Sequence, residues 1–153
     1  GFWNTGSGLL FKLAYKGQSY ATKGVTAYVD VKDVVLAMMQ LMDSSIENER
    51  YILASVNVSY EDIMSMICKA LQVKSPKKVA SKVILSIGWR ADWLFSKILR
   101  RKRRLTKQLA KTLLKKSFYS SDKIQQDLKG FEWTPITDSV SATCRFYLEK
   151  VGS

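Results

Sequence analysis

Apolar and polar positions along this chain switch repeatedly between a helical and a strand period. Leu9, Leu10, Leu13 and Ala14 share one face after Ser7, which is placed to cap a first helix running to about Tyr15, and Gly17 is placed to end it. Residues 25 to 29 are rich in β-branched and aromatic side chains and predict a strand. Asp30 then stands at the N-cap of a second helix, and Asp33 sets another carboxylate against the positive end of its dipole, a structural task for both. Within that helix Val34, Met38 and Leu41 adjoin a second row of Val35, Met39 and Met42, which predicts an apolar face packed on a sheet with methionine as core filler.

A second strand is expected from Tyr51 to Val56. It leads through Asn57 to Ser59, a cap whose partner Asp62 reaches back in a box-like arrangement, and Ile63, Ile67 and Ala70 or Leu71 follow at helical spacing. From Ser75 and Pro76 the pattern reads as helix almost to Lys116, with Gly88 its one weak point. Thr134 and Pro135 fit the cap and first position of a last helix whose face is Ile136, Val140, Thr143, Tyr147 and Val151. Helices alternating with strands predict a mixed α/β chain.

Composition narrows the chemistry. At 153 residues and 46% hydrophobic content the chain can bury a real core. With no histidine, a Ser-His-Asp or Cys-His catalytic arrangement and any His-based metal site are excluded within it. Cys68 and Cys144 sit far apart in apolar helical patterns and read as reduced core residues, and no metal-ligand cluster is apparent. No secretory signal or long uncharged apolar run is present, so a cytoplasmic location is the default expectation.

The passage Tyr28-Val29-Asp30-Val31-Lys32-Asp33-Val34-Val35-Leu36-Ala37 resembles the V-D-V-x-D-V-A region of the extended short-chain dehydrogenase/reductase family, which includes NAD-dependent epimerases and dehydratases and dihydroflavonol-reductase-like enzymes. A proline-led loop at Ser75-Pro76 and a closing stretch from Tyr119 through Lys123 to Leu128-Lys129-Gly130-Phe131 resemble later family features, in the right order. In that family these features follow the catalytic residues, so the resemblance implies the C-terminal, substrate-binding portion of a Rossmann-type enzyme. Residues 1 to 73 would complete the Rossmann sheet and residues 74 to 153 form a mainly helical cap. The Gly-rich strand-turn-helix that takes a pyrophosphate is absent: Gly1-Phe2-Trp3-Asn4-Thr5-Gly6-Ser7-Gly8 has no strand before it and reads as a loop entering a helix.

The resemblance implies NAD or NADP as cofactor of the intact protein, with its binding motif and its catalytic Tyr and Lys in the absent N-terminal half, so this chain alone is expected to be inactive. The family's dimer helices would lie in that half too, and a homodimer stays open. By position, Phe2, Trp3, Asn4 and Tyr28 are the implied substrate-binding residues: the aromatics would stack or seal the pocket and Asn4 would bond a substrate hydroxyl. An aromatic loop anchoring the chain end to the core is the alternative for Phe2 and Trp3. Tyr119 and Lys123 have the Tyr-x-x-x-Lys spacing that lets an ammonium lower a phenol pKa, but they follow the V-D-V region and are read as a turn or helix start.

Charge is uneven. Residues 69 to 129 hold 18 of the 25 Lys and Arg against Asp92, Asp122 and Asp127, a balance of +15, while the remainder carries 7 basic and 10 acidic residues, or −3. Trp89, Trp93, Leu94, Phe95, Ile98 and Leu99 precede the run Arg100-Arg101-Lys102-Arg103-Arg104. A solvated helix end ranks first for this segment, a membrane or acidic-partner surface second, and nucleic acid third because the aromatics precede the charges and do not interleave with them. The sequence thus predicts the substrate-binding fragment of an NAD(P)-dependent oxidoreductase, epimerase or dehydratase acting on a secondary alcohol or nucleotide-sugar-like small molecule. Its rival is a non-enzymatic basic module that holds an anionic membrane or polyanion through residues 89 to 116.

Overall fold

A computed structural model describes residues 3 to 100 and 105 to 151. In chain order the elements are α1 (Gly8–Tyr15), β1 (Tyr20–Ala21), β2 (Val25–Tyr28), α2 (Val31–Met42), β3 (Val56–Ser59), α3 (Tyr60–Ala70), β4 (Lys78–Val79), α4 (Lys82–Ile98), α5 (Lys107–Thr112), α6 (Asp122–Asp127) and α7 (Ile136–Val151). The mixed α/β class predicted from the sequence is what the chain adopts. Two compact units form, one from Gly1–Val25 with Ser59–Ser117 and the other from Thr26–Val58 with Phe118–Ser153.

In the first unit α1 packs on α3. Gly17, at φ +73°, ends α1 as expected: its N–H bonds Ala14 and that of Gln18 bonds Leu13, the double bond of a left-handed helix stop. Ser7 does not cap it, because its own backbone is already helical and its hydroxyl makes no capping bond. Ser59 caps α3 as predicted. It accepts the Asp62 N–H at 3.1 Å and returns its hydroxyl to Asp62 Oδ2 at 2.6 Å. Ile63, Met64, Ile67, Cys68 and Leu71 are buried below that cap.

The predicted long helix from residue 75 to 116 is not formed. Lys78 and Val79 leave helical conformation to pair, in parallel, with Tyr20 and Ala21. Ser81 then caps α4 by accepting the Ile84 N–H, which stops at Leu99 before Arg100 turns left-handed at φ +47°. Thr106 starts α5 by accepting the Leu109 N–H at 3.1 Å. α5 folds against α4 over a core of Ala80, Leu85 and Ala110, with Trp89, Leu105, Leu113 and Leu114 packed beside it. Behind α5 the chain passes so close to Gly24 that a Cβ there would lie 2.4 Å from the Leu113 carbonyl oxygen. That contact leaves room only for glycine.

In the second unit β2 and β3 pair. The β3 strand begins at Val56, several residues beyond its predicted start, and residues 50 to 54 approach without regular pairing. Asp30 caps α2 as predicted, accepting the Lys32 N–H at 2.8 Å. Asp33 lies in the first turn of α2 as expected and has a further structural role: it is buried, and its carboxylate accepts the Thr134 hydroxyl at 2.6 Å and the Thr134 N–H at 2.9 Å. Thr134 therefore faces Asp33, and the Pro135 carbonyl takes the first α7 bonds, from Asp138 and Ser139. Val140, Cys144 and Tyr147 form the buried α7 face, while Val151 is exposed.

The predicted buried rows of α2 are met only in part, by the half-buried Val34 and Leu41. Ala37 is wholly buried in a core with Ile124, Leu128 and Phe131, and Leu41 packs against it, whereas Val35, Met38, Met39 and Met42 are all more than half exposed. Met42 is 82% exposed. The smallest apolar residue lets the chain approach the helix most closely, and the bulkier rows are left outward.

Removing the Asp33 carboxylate should cost about 3 kcal/mol, because two bonds to a buried charge are lost together. Thr134→Val should cost about 1–2 kcal/mol, since the backbone bond survives. Urea unfolding checks both as lowered midpoints at unchanged slope. Gly24→Ala should cost about 1–3 kcal/mol by the same measurement, as the backbone near Leu113 must move aside.

Candidate functional site

Of the four substrate-binding residues expected from the sequence, Phe2 lies outside the described residues. Trp3 and Asn4 belong to the first unit and Tyr28 to the second. Trp3 is half-buried and meets the buried Phe11 of α1 edge-to-face, with ring centroids 6.2 Å apart. This contact fixes the loop to α1 and leaves part of the indole open. Asn4 is exposed and its Oδ1 accepts a bond from the Lys12 ammonium. The amide oxygen is thereby occupied, and Nδ2 is the group left to donate. Tyr28 is half-buried at the end of β2, and its carbonyl accepts the Ser55 N–H at 2.9 Å.

Tyr119 and Lys123 do not share a helix. Tyr119 precedes α6, and its backbone N–H and C=O clamp the Asn57 side chain at 2.9 and 2.8 Å. Lys123, in the first turn of α6, pairs with Glu49 and lies 4.9 Å from the centre of the Tyr51 ring. An ammonium held this way is directed to Glu49 and Tyr51.

That environment forms a cluster which sequence reasoning missed. The Tyr51 hydroxyl donates to Asp127 Oδ2 at 2.6 Å. This bond to a carboxylate, reinforced by burial and by the negative charges of Asp127 and Glu49, pushes the phenol up to about 12 from its ordinary 10.0. Its two halves, Glu49 with Tyr51 and Lys123 with Asp127, lie more than 70 residues apart, so no local pattern announces their meeting. The raised value keeps Tyr51 protonated, a persistent hydrogen-bond donor and a poor acid.

Both cysteines are buried and not joined in a disulfide, as expected. Burial pushes the Cys68 thiol up, partly offset by a hydrogen bond with Ser75, which suits a packed thiol and not a nucleophile. Among the described residues no group of His, Cys, Asp or Glu forms a metal site. The outward face of α2 carries a shallow apolar groove lined by Val31, Lys32, Val35, Leu36 and Met39. Among the described residues no helix is long and apolar enough to cross a membrane.

No protein-family model matches this chain, and no curated protein matches it significantly. Solved structures do. The crystal structure of gox2253 aligns with a TM-score of 0.68 and 21% identity over 94% of this chain and 43% of that one. The crystal structure of the Bordetella bronchiseptica enzyme WbmH in complex with NAD+ aligns with a TM-score of 0.60 and 16% identity over 95% of this chain and 40% of that one. At these identities the likeness is one of fold. The chain spans less than half the length of either structure.

Because the Tyr51 phenol holds its proton more tightly folded than unfolded, its contribution to stability is complete below pH 10 and is lost as the pH rises from 10 towards 12. Phenolate absorbance should show one tyrosine titrating near 12, and Asp127→Asn should return that group towards 10.

Proposed function

We propose that this chain is the substrate-binding portion of an NAD(P)-dependent oxidoreductase, epimerase or dehydratase resembling the extended short-chain dehydrogenases, acting at a secondary alcohol or a nucleotide-sugar-like carbon. One observation carries the reading: nearly the whole chain follows the fold of an enzyme solved with NAD+, yet it accounts for only 40% of that enzyme's length. The sheets among the described residues support it, since each has two strands there, and such pairs are marginal unless extended or covered. The open apolar face of α2 is where a dinucleotide-binding half would pack.

The described residues do not themselves fit the dinucleotide. Asp30 caps α2 and Asp33 lies in its first turn, and the first turn of α3 carries Glu61 and Asp62. Carboxylates at those helix starts oppose a pyrophosphate, and no Gly-rich turn precedes either. The cofactor's cradle and the proton-moving Tyr and Lys are accordingly assigned to the N-terminal half.

On this reading the present residues bind and orient substrate. In the first unit Trp3, anchored on Phe11, excludes water, and Asn4 offers Nδ2 to a substrate oxygen. Calorimetry with NAD(H) and NADP(H) tests the assignment. This chain alone should bind neither, and the product of the full reading frame should bind one of them. In that product Asn4→Ala should raise KM about tenfold, the worth of one hydrogen bond, with cofactor affinity unchanged. A full-length product without nucleotide binding would overturn the reading.

A further inference from the structure

Helix α4 is held by one side. Leu85 and Ser96 are buried, Trp89 packs on the α5 core, and Asp92 Oδ2 accepts the Leu105 N–H at 3.0 Å. Opposite them, Val83, Ile84, Ile87, Leu94, Phe95 and Ile98 fall within an arc of about 120° at 3.6 residues per turn. All six are exposed, with Val83 and Ile98 at 66% and Ile87 at 63%. The stripe runs about 25 Å, four turns and more.

The margin of the stripe is cationic and aromatic. Arg90 lies on one edge and stacks 4.6 Å from the Trp89 ring, while Lys97 sits 4.9 Å from the half-exposed Trp93 ring. Directly after the helix come Arg100 and four further cationic residues, within a segment whose balance is +15. We infer that α4 lies flat in the interface of an anionic lipid bilayer, its aliphatic stripe below the headgroups and Arg90, Lys97 and Trp93 among them.

Several features select that occupant. The helix carries Lys82, Arg90, Asp92 and Lys97 and is too polar to span, which suits a segment lying on a bilayer. A second copy would bring two strongly basic segments face to face. A nucleic acid would engage the cations and stacking rings but leave six aliphatic and aromatic positions of the stripe without a partner. The inference stands independently of the dehydrogenase reading, since it uses none of the substrate-binding residues.

Co-sedimentation with phosphatidylcholine vesicles, with and without phosphatidylglycerol at about one lipid in four, tests it at physiological salt. Binding should require the anionic lipid and be accompanied by a blue shift of tryptophan emission that shrinks in Trp93→Phe. Replacing Ile87, Leu94 and Ile98 by serine should weaken binding at least about tenfold, each lost side chain removing apolar burial. Arg90→Gln and Lys97→Gln should each weaken it about fivefold. These positions are solvent-facing, so circular dichroism should be unchanged, and Ile87→Ser alone serves should the triple variant misfold. The inference falls if anionic vesicles are not bound. It falls equally if the serine variants bind as well as the parent, which marks a simple polyanion site, or if those variants abolish a self-association seen without lipid, which marks a face between copies.

Discussion

The second unit is organised around a buried carboxylate. Asp33 is 4% exposed, a burial that would be strongly unfavourable for an unpartnered charge. Two short donors from Thr134, a hydroxyl at 2.6 Å and a backbone N–H at 2.9 Å, offset that cost and fix a residue 101 positions away at the entrance to α7. One turn further along α2, Ala37 is wholly buried against Phe131, and the Phe131 and Trp133 rings meet edge-to-face at 4.7 Å. The acid sets the register and the small residue sets the distance. Together they decide which side of α2 becomes interior.

That decision explains why periodicity alone misassigns the helix. Val31, Val35, Met38, Met39 and Met42 outnumber the apolar residues on the side actually buried, and a count of hydrophobic positions favours the wrong face. The caps, by contrast, are legible because each is a local event of two to four residues: Asp30 with Lys32, and Ser59 with Asp62. Asp33 reads as a first-turn acid and is one, but its partner lies far beyond any window of local pattern.

The same contrast divides the basic half. Ser81 and Thr106 are ordinary caps at the starts of α4 and α5 and are the local signals that divide the long helical pattern. The parallel pairing of Lys78 and Val79 with Tyr20 and Ala21 joins residues nearly sixty apart, so no neighbouring residue specifies it. Of the candidate substrate residues, Trp3 and Asn4 were located by resemblance, and their anchoring by Phe11 and Lys12 emerges only from the fold. The cluster joins two short local pairs, Glu49 with Tyr51 and Lys123 with Asp127, through bonds that are non-local.

Two helices therefore keep one face docked and one open, and the chemistry of the open faces differs. Around the α2 groove Lys32 is the single cation, and the surface is otherwise valine, leucine and methionine. Such a surface can be buried against another apolar protein face without stranding charge. The α4 stripe is edged by Arg90 and Lys97 and followed in the sequence by a cationic run, so covering it with an apolar protein core would desolvate those charges. A headgroup layer accepts those cations while taking the aliphatic stripe, and so the two open faces call for different kinds of cover.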